Sequence, residues 1–231
     1  MSINYLNIFM NNQSIETNKK IYLDKLFPKI NGVNIQNLSI DIESVSYITT
    51  PSESKKISEI IIKHSSKYKL PKESTIVDAT GGAGGDTISF CNFFGSVISI
   101  ELDPVRFEFL KHNIQEYQYK NIMTINGDST IIIPKLSYLD IIYVDPPWGG
   151  KDYKSKENLR LILGNIELEA FILNCFNKEY STAIPSVVAL KLPKNYDIKH
   201  LFGVISEKLD IYLYELKKIN ILIIEKKCDS C

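Results

Sequence analysis

The residues of this chain best able to do chemistry are Asp145-Pro146-Pro147-Trp148-Gly149-Gly150. They follow Leu139-Asp140-Ile141-Ile142-Tyr143-Val144, an apolar run that reads as a buried strand. A polar side chain, two prolines and an aromatic ring at a strand's carboxyl end make a stiff turn fit to hold a flat, amino-bearing ring. An exocyclic aryl amine is a poor nucleophile, because its lone pair is delocalised into the ring. The useful contribution is to orient it toward an electrophilic methyl group and to meet the positive charge that develops on nitrogen. The Asp145 side chain and the Pro146 carbonyl are the candidate acceptors, and most of the rate gain would be positioning and electrostatics. The prolines fix the backbone and lower the entropy cost of that geometry. Trp148, flanked by Pro147 and Gly149, offers a large π face on a turn rather than in a core run. If the stacked ring is cationic, as in 7-methylguanine, a cation–π component adds to the stacking.

A methyl donor needs a site of its own. Asp78, Glu101 and Asp128 each stand at the end of a strand-like segment: Ser74–Val77, Val97–Ile100 and Asn121–Ile125. Ligands of open α/β sheets bind at such carboxyl ends, near the point where strand order reverses. The loop Gly81-Gly82-Ala83-Gly84-Gly85 lets backbone pass close to a ligand. Asp78 suits the ammonium of a methionine moiety, Glu101 the two hydroxyls of a ribose, and Asp128, with Ser129 beside it, the amino group of adenine. Part by part, these match S-adenosylmethionine. A nicotinamide dinucleotide is the rival, but Thr87 stands where its third glycine belongs. Asp78 and Asp86 would also repel a pyrophosphate.

These residues need a scaffold, and the sequence outlines one. Thr50, Pro51 and Glu53 suggest a capping box opening a helix that runs to about Tyr68. Strand and helix then alternate. Asp86–Phe94 and Asp103–Tyr117 are helical, as are Ile166–Asn177 and Asp197–Lys208. Ser186–Leu192 is a strand, and Ile211–Leu216 with Ile219–Glu225 closes the chain as a hairpin. This alternation predicts an α/β fold: a Rossmann-like, class I methyltransferase with a seven-stranded, mostly parallel sheet and a terminal antiparallel hairpin. Residues 1–46 are an arm or small helical extension, and 47–231 the methyltransferase domain.

Composition sets limits. The 231 residues carry 27 Lys+Arg against 27 Asp+Glu. That neutral balance favours a small ligand or a short end of a nucleic acid over a long phosphate backbone. No stretch is apolar enough to span a bilayer, and no signal sequence opens the chain, so a soluble intracellular protein is expected. No metal site is expected: Cys228 and Cys231 read as a tail, Cys91 and Cys175 as core, and His64, His112 and His200 are scattered over helix-like, mostly polar stretches.

The motifs also carry a resemblance. Asp145-Pro146-Pro147-Trp148-Gly149-Gly150, with Tyr153 just after, resembles the motif of trimethylguanosine synthases, the RNA cap guanine-N2 methyltransferases. Val77–Ile88 resembles their first S-adenosylmethionine motif, Ile98–Pro104 their ribose segment, Ser46–Pro51 their Thr-Pro stretch, and Leu192-Pro193-Lys194-Asn195 a late Leu-Pro-Arg-Asn turn. The position before Pro-Pro is commonly Ser in the cellular members; here it is Asp145. The resemblance covers about Ser46 to the end. It implies transfer of methyl from S-adenosylmethionine to N2 of a 7-methylguanosine RNA cap by a monomer. It implies Thr50, Thr80, Gly81, Gly82, Gly84 and Leu102 at the cofactor, beside the three acids, Ser129 and Asp145. Thr49, Pro147, Trp148, Lys151, Tyr153 and Asn195 would meet the substrate, with Lys154 and Lys156 near the cap triphosphate. Two readings remain open. Asp-Pro-Pro-Trp is also the motif of adenine-N6 methyltransferases acting on RNA or DNA, and a non-catalytic module binding the cap or S-adenosylmethionine would need no turnover.

Overall fold

In the computed structural model, which describes residues 19–227, alternation along the strands sorts the core into two layers. Strands β1 (Thr75–Asp78), β2 (Ser96–Glu101), β3 (Ile122–Asn126), β4 (Ile141–Val144), β7 (Val187–Pro193), β8 (Leu209–Glu215) and β9 (Ile219–Lys226) form one sheet. Its order is β3-β2-β1-β4-β7-β9-β8. The first five of these pair in parallel; β9 runs antiparallel between β7 and β8. This is the fold class read from the sequence. A minor hairpin joins β5 (Ile162–Leu163) to β6 (Ile166–Glu167).

On one face, Ile76, Ile141, Tyr143, Val187 and Ala189 meet Ile57 and Ile61 of α2 (Pro51–Ser65), Ile88 and Phe90 of α3 (Gly85–Phe93), and Leu110 of α4 (Pro104–Glu116). Leu23 and Leu26 of α1 (Lys19–Leu26), with Phe27, Ile35 and Leu38, join the same cluster. On the other face, Val77, Ile142, Val144, Val188 and Leu190 meet Phe171 and Ile172 of α6 (Leu168–Cys175) and Leu201 and Ile205 of α7 (Ile198–Ile205). A short helix α5 (Ser129–Ile132) follows β3. Among the described residues, no helix is long and apolar enough to cross a membrane.

Local chemistry explains most boundaries. Asp103 caps α4 by accepting from the Val105 and Arg106 amides at 2.8 and 2.9 Å, and Pro104 fills the first helical position. The capping box expected at α2 does not form. Thr50 Oγ1 donates to Glu53 Oε2 at 2.9 Å, so the two side chains satisfy each other rather than the backbone. The helix expected over Ile166–Asn177 begins only at Leu168, because Gly164-Asn165 is a two-residue hairpin turn that draws Ile166 and Glu167 into β6. Gly164 takes φ +58° there.

His64 is buried, not on a polar surface: its Nδ1 lies 2.6 Å from Glu225 Oε1 and its Nε2 2.8 Å from the Tyr214 hydroxyl. With Lys67 donating to the same carboxylate, this cluster pins α2 to β9. Cys91 and Cys175 are buried free thiols; Cys228 and Cys231 lie outside the described residues.

Ile57 is fully buried where α2 meets the sheet. Ile57→Ala is expected to cost about 2–5 kcal/mol. Urea unfolding should show it as a lower midpoint with an unchanged slope. An unshifted midpoint would mean that α2 does not pack there.

Candidate active site

The sheet places the chemistry. From β1 the chain moves outward through β2 and β3, and from β4 outward the opposite way, so β1 and β4 flank the point where strand order reverses. They pair with Asp78 opposite Tyr143, and the Ala79 amide donates to the Tyr143 carbonyl at 2.9 Å. The glycine loop therefore leaves β1 beside the Asp145-Pro146-Pro147-Trp148 turn leaving β4. Thr80 joins the two: its Oγ1 accepts from the Asp145 amide at 2.8 Å, and its own amide donates to Asp78 Oδ1 at 3.2 Å.

The loop is set by close approach. A Cβ on Gly81 would lie 2.4 Å from Ser99 Oγ, and Gly84, which opens α3, takes φ +101°. The Gly82 amide donates to Glu101 Oε2 at 2.7 Å, and the Asp103 amide to Glu101 Oε1 at 2.8 Å, so this carboxylate is fixed at the end of β2. Leu102 beside it is exposed. Asp128 caps α5, accepting from the Thr130 amide at 2.9 Å and the Thr130 hydroxyl at 2.7 Å. Its carboxylate packs so closely on Gly164 that a Cβ there would meet Oδ2 at 3.0 Å. Ser129 is buried behind it.

In the turn after β4, Pro146 is buried, Pro147 exposed and Trp148 half-buried. The Trp148 ring meets Tyr153 edge-on, centroids 5.1 Å apart, and packs on both core clusters. Its Nε1 is buried without a hydrogen-bond partner. Asn195 does not present its amide nitrogen outward: Nδ2 donates to the Tyr153 and Lys156 carbonyls at 2.6 and 2.7 Å, clasping the segment after Trp148. Thr49 is likewise turned inward. Its hydroxyl donates to Asp86 Oδ2 at 2.6 Å and accepts from Lys191 Nζ at 2.8 Å. Thr50 is half-buried at the mouth of α2. The Lys151 side chain lies outside the described residues, and Lys154 and Lys156 are exposed.

The comparisons with known proteins point the same way. The RNA cap guanine-N2 methyltransferase family model matches residues 73–229. The chain belongs to that family. It is 30% identical over 220 residues to the uncharacterized protein L320 of Acanthamoeba polyphaga mimivirus, covering 87% of this chain and 84% of that one. It is 33% identical over 170 residues to trimethylguanosine synthase of Schizosaccharomyces pombe, covering 70% of this chain and 66% of that one. Among solved structures, a Streptococcus mutans protein described as a methyltransferase, in complex with SAH, shares the fold at a TM-score of 0.50 and 18% identity, over 73% of this chain and 97% of that one. The chain is an S-adenosylmethionine-dependent methyltransferase.

The donor set suits that cofactor. Asp78 is fully buried, and its hydrogen-bond partners, the Thr80 amide and the Thr87 hydroxyl, are neutral. Burial pushes its carboxyl up to about 7, against the pull of the Thr87 bond and with Asp86 adding to the rise. An incoming ammonium would restore the anion.

The sequence reading missed Lys191. It sits fully inside β7, on the face shared with Val187 and Ala189, and donates to Asp145 Oδ2 at 2.6 Å as well as to Thr49. Its Nζ also lies 5.6 Å from the centroid of the Trp148 ring. Burial pulls the ammonium down, yet Asp145, Asp86 and Glu53 hold it above the usual lysine value. Burial raises Asp145 to about 6 while Lys191 draws it back. The signal was present: a lone charge within the apolar run Val187-Val188-Ala189-Leu190-Lys191-Leu192 is expensive unless paired.

Asp78 and Asp145 hold their protons more tightly folded than unfolded. Their contribution to stability is therefore fullest below the ordinary carboxylate range and declines as pH rises through it toward about 7. In the cofactor-free protein, Asp78→Asn should gain stability relative to wild type as pH rises from about 4 to about 7. Melting temperatures across that range test this; a constant difference would show that Asp78 titrates normally.

Proposed function

We propose that the chain methylates the exocyclic N2 of a 7-methylguanosine RNA cap, working as a monomer on the 5′ end. The supporting observation is the placement of Trp148: a half-exposed aromatic face held next to Asp145 at the strand-order reversal. A cationic 7-methylguanine ring stacked on it gains both dispersion and a cation–π contribution. The neutral overall charge suits a short RNA end better than an extended duplex.

S-adenosylmethionine supplies an electrophilic methyl on a sulfonium. Asp78 and the loop of Gly81, Gly82 and Gly84 would take its methionine part, Glu101 its ribose, and Asp128, with Leu102 and Ser129, its adenine. The protein's own work is then geometric. Pro146 and Pro147 keep the turn rigid, Trp148 fixes the ring plane, and Asp145 with the Pro146 carbonyl accepts from the target amine. Asn195 clasps the following segment so that Tyr153 supports Trp148. Exposed Lys154 and Lys156 carry charge complementary to the cap triphosphate.

The test offers labelled S-adenosylmethionine with three acceptors: 7-methylguanosine triphosphate, GTP and an adenine-containing oligonucleotide. Label is expected on the first alone. Label on the oligonucleotide alone would instead establish the adenine-N6 reading, and cofactor binding without any transfer would establish the silent module. Trp148→Ala should weaken binding of 7-methylguanosine triphosphate about tenfold or more, with cofactor affinity retained in calorimetry. Unchanged cap affinity would make Trp148 a core residue only.

A further inference from the structure

A lysine buried in the middle of a sheet is costly, and its few partners show what it serves. Lys191 Nζ reaches three segments that β7 does not otherwise bring together. It donates to Thr49 at the entrance to α2 and to Asp145 after β4, and it lies against the Trp148 ring. The network continues inward. Thr49 donates to Asp86 Oδ2, as does the Tyr143 hydroxyl at 2.8 Å, and Asp86 Oδ1 is buried without a partner. Nothing in the general fold requires a cation here; the neighbouring inward positions of β7 are Val187 and Ala189.

The ammonium takes one oxygen of Asp145 only. Oδ1 receives no hydrogen bond among the described residues and is not among the buried unpartnered atoms, so it is accessible to solvent, on a side chain 23% exposed. A free carboxylate would rotate between equivalent oxygens; one pinned by a charge-assisted bond presents the other in a fixed direction. We propose that Lys191 is a positioning residue for methyl transfer: by holding Asp145 Oδ2, it aims Oδ1 at the target amine and keeps it anionic to receive that amine's proton. This rests on the reading of the Asp145 turn as the acceptor site. As the N–C bond forms, the methyl's bond to sulfur breaks and its electron pair stays on sulfur as a neutral thioether. The proton lost from nitrogen passes to Asp145 Oδ1. A methylated aryl ammonium is acidic enough to give that proton to a carboxylate.

The pairing has a readout in pH. The charged and titratable groups facing Asp145 are Lys191 from β7, Asp86 from α3, Asp78 from β1 and Tyr143 from its own strand, with Glu53 from α2 facing Lys191. Lys191 is the one cation among them. Removing it leaves only groups that disfavour a charged Asp145, so the carboxyl's titration must move upward, by about 1–3 pH units.

The experiment compares wild type, Lys191→Met, Asp145→Ser and the double variant Lys191→Met/Asp145→Ser. Carbon-13 carboxyl titrations are followed in the cofactor-free protein, with Asp145 assigned by the signal that Asp145→Ser removes. The pH profile of kcat is measured on whichever acceptor wild type methylates, so a different substrate ring leaves this test intact. In Lys191→Met, the Asp145 titration and the acid limb of kcat should rise together, with a smaller change in KM. The double variant should lack that limb. If Lys191→Met does not fold, Lys191→Gln, which removes the charge but can still donate to Asp145, replaces it in both measurements, with the double variant as the control. An acid limb that persists in it overturns the proposal, as does an Asp145 titration that stays where it was in Lys191→Met.

Discussion

The parallel pairing of β1 with β4 is the constraint on which the rest depends. These two strands are distant in sequence, and their pairing puts Asp78 opposite Tyr143, one residue short of Val144 and two short of Asp145. Because the chain runs away from this pair in opposite directions, the carboxyl ends of both strands border the crevice in which open α/β sheets bind ligands. The loop after β1 and the turn after β4 face each other across it. Thr80 then links them through hydrogen bonds to the Asp145 amide and Asp78 carboxylate. The glycine loop and the Asp145–Trp148 turn are thus two sides of one strand pair, and shear between β1 and β4 would disturb both.

Electrostatics within this cleft favour a ligand that carries positive charge. Asp145 and Asp86 face one buried cation, Lys191, and Asp78 lies close enough to both acids to feel their charge. Burial penalises the resulting surplus of negative charge, raising Asp78 to about 7 and Asp145 to about 6. A ligand bringing an ammonium and a sulfonium relieves that penalty, whereas a pyrophosphate would deepen it.

Much of this was legible along the chain. The Gly81–Gly85 loop, the acids at Asp78, Glu101 and Asp128, and the Asp145–Trp148 turn all follow strand-like runs, and strand ends are where an α/β sheet must bind ligands. What misled was local chemistry with more than one outlet. Thr50 and Glu53 are spaced for a capping box but bond to each other. Gly164-Asn165 is a hairpin signal just before the apolar stretch read as a helix, and it draws Ile166 and Glu167 into a strand. Thr49 and Asn195 carry polar groups that a sequence reading offers to a ligand, yet their bonds turn inward to Lys191, Asp86 and the 153–156 segment.

The sequence by itself determined the layer structure and the chemical type of each strand end, because hydrophobic periodicity and turn residues are local properties. It also determined that a charge lay inside β7, without saying what neutralised it. Only the tertiary structure decided that Lys191 reaches Thr49, Asp145 and Trp148 at once. Those partners lie 142, 46 and 43 residues away, and the pairing that unites them is fixed by strand order, which no local pattern encodes.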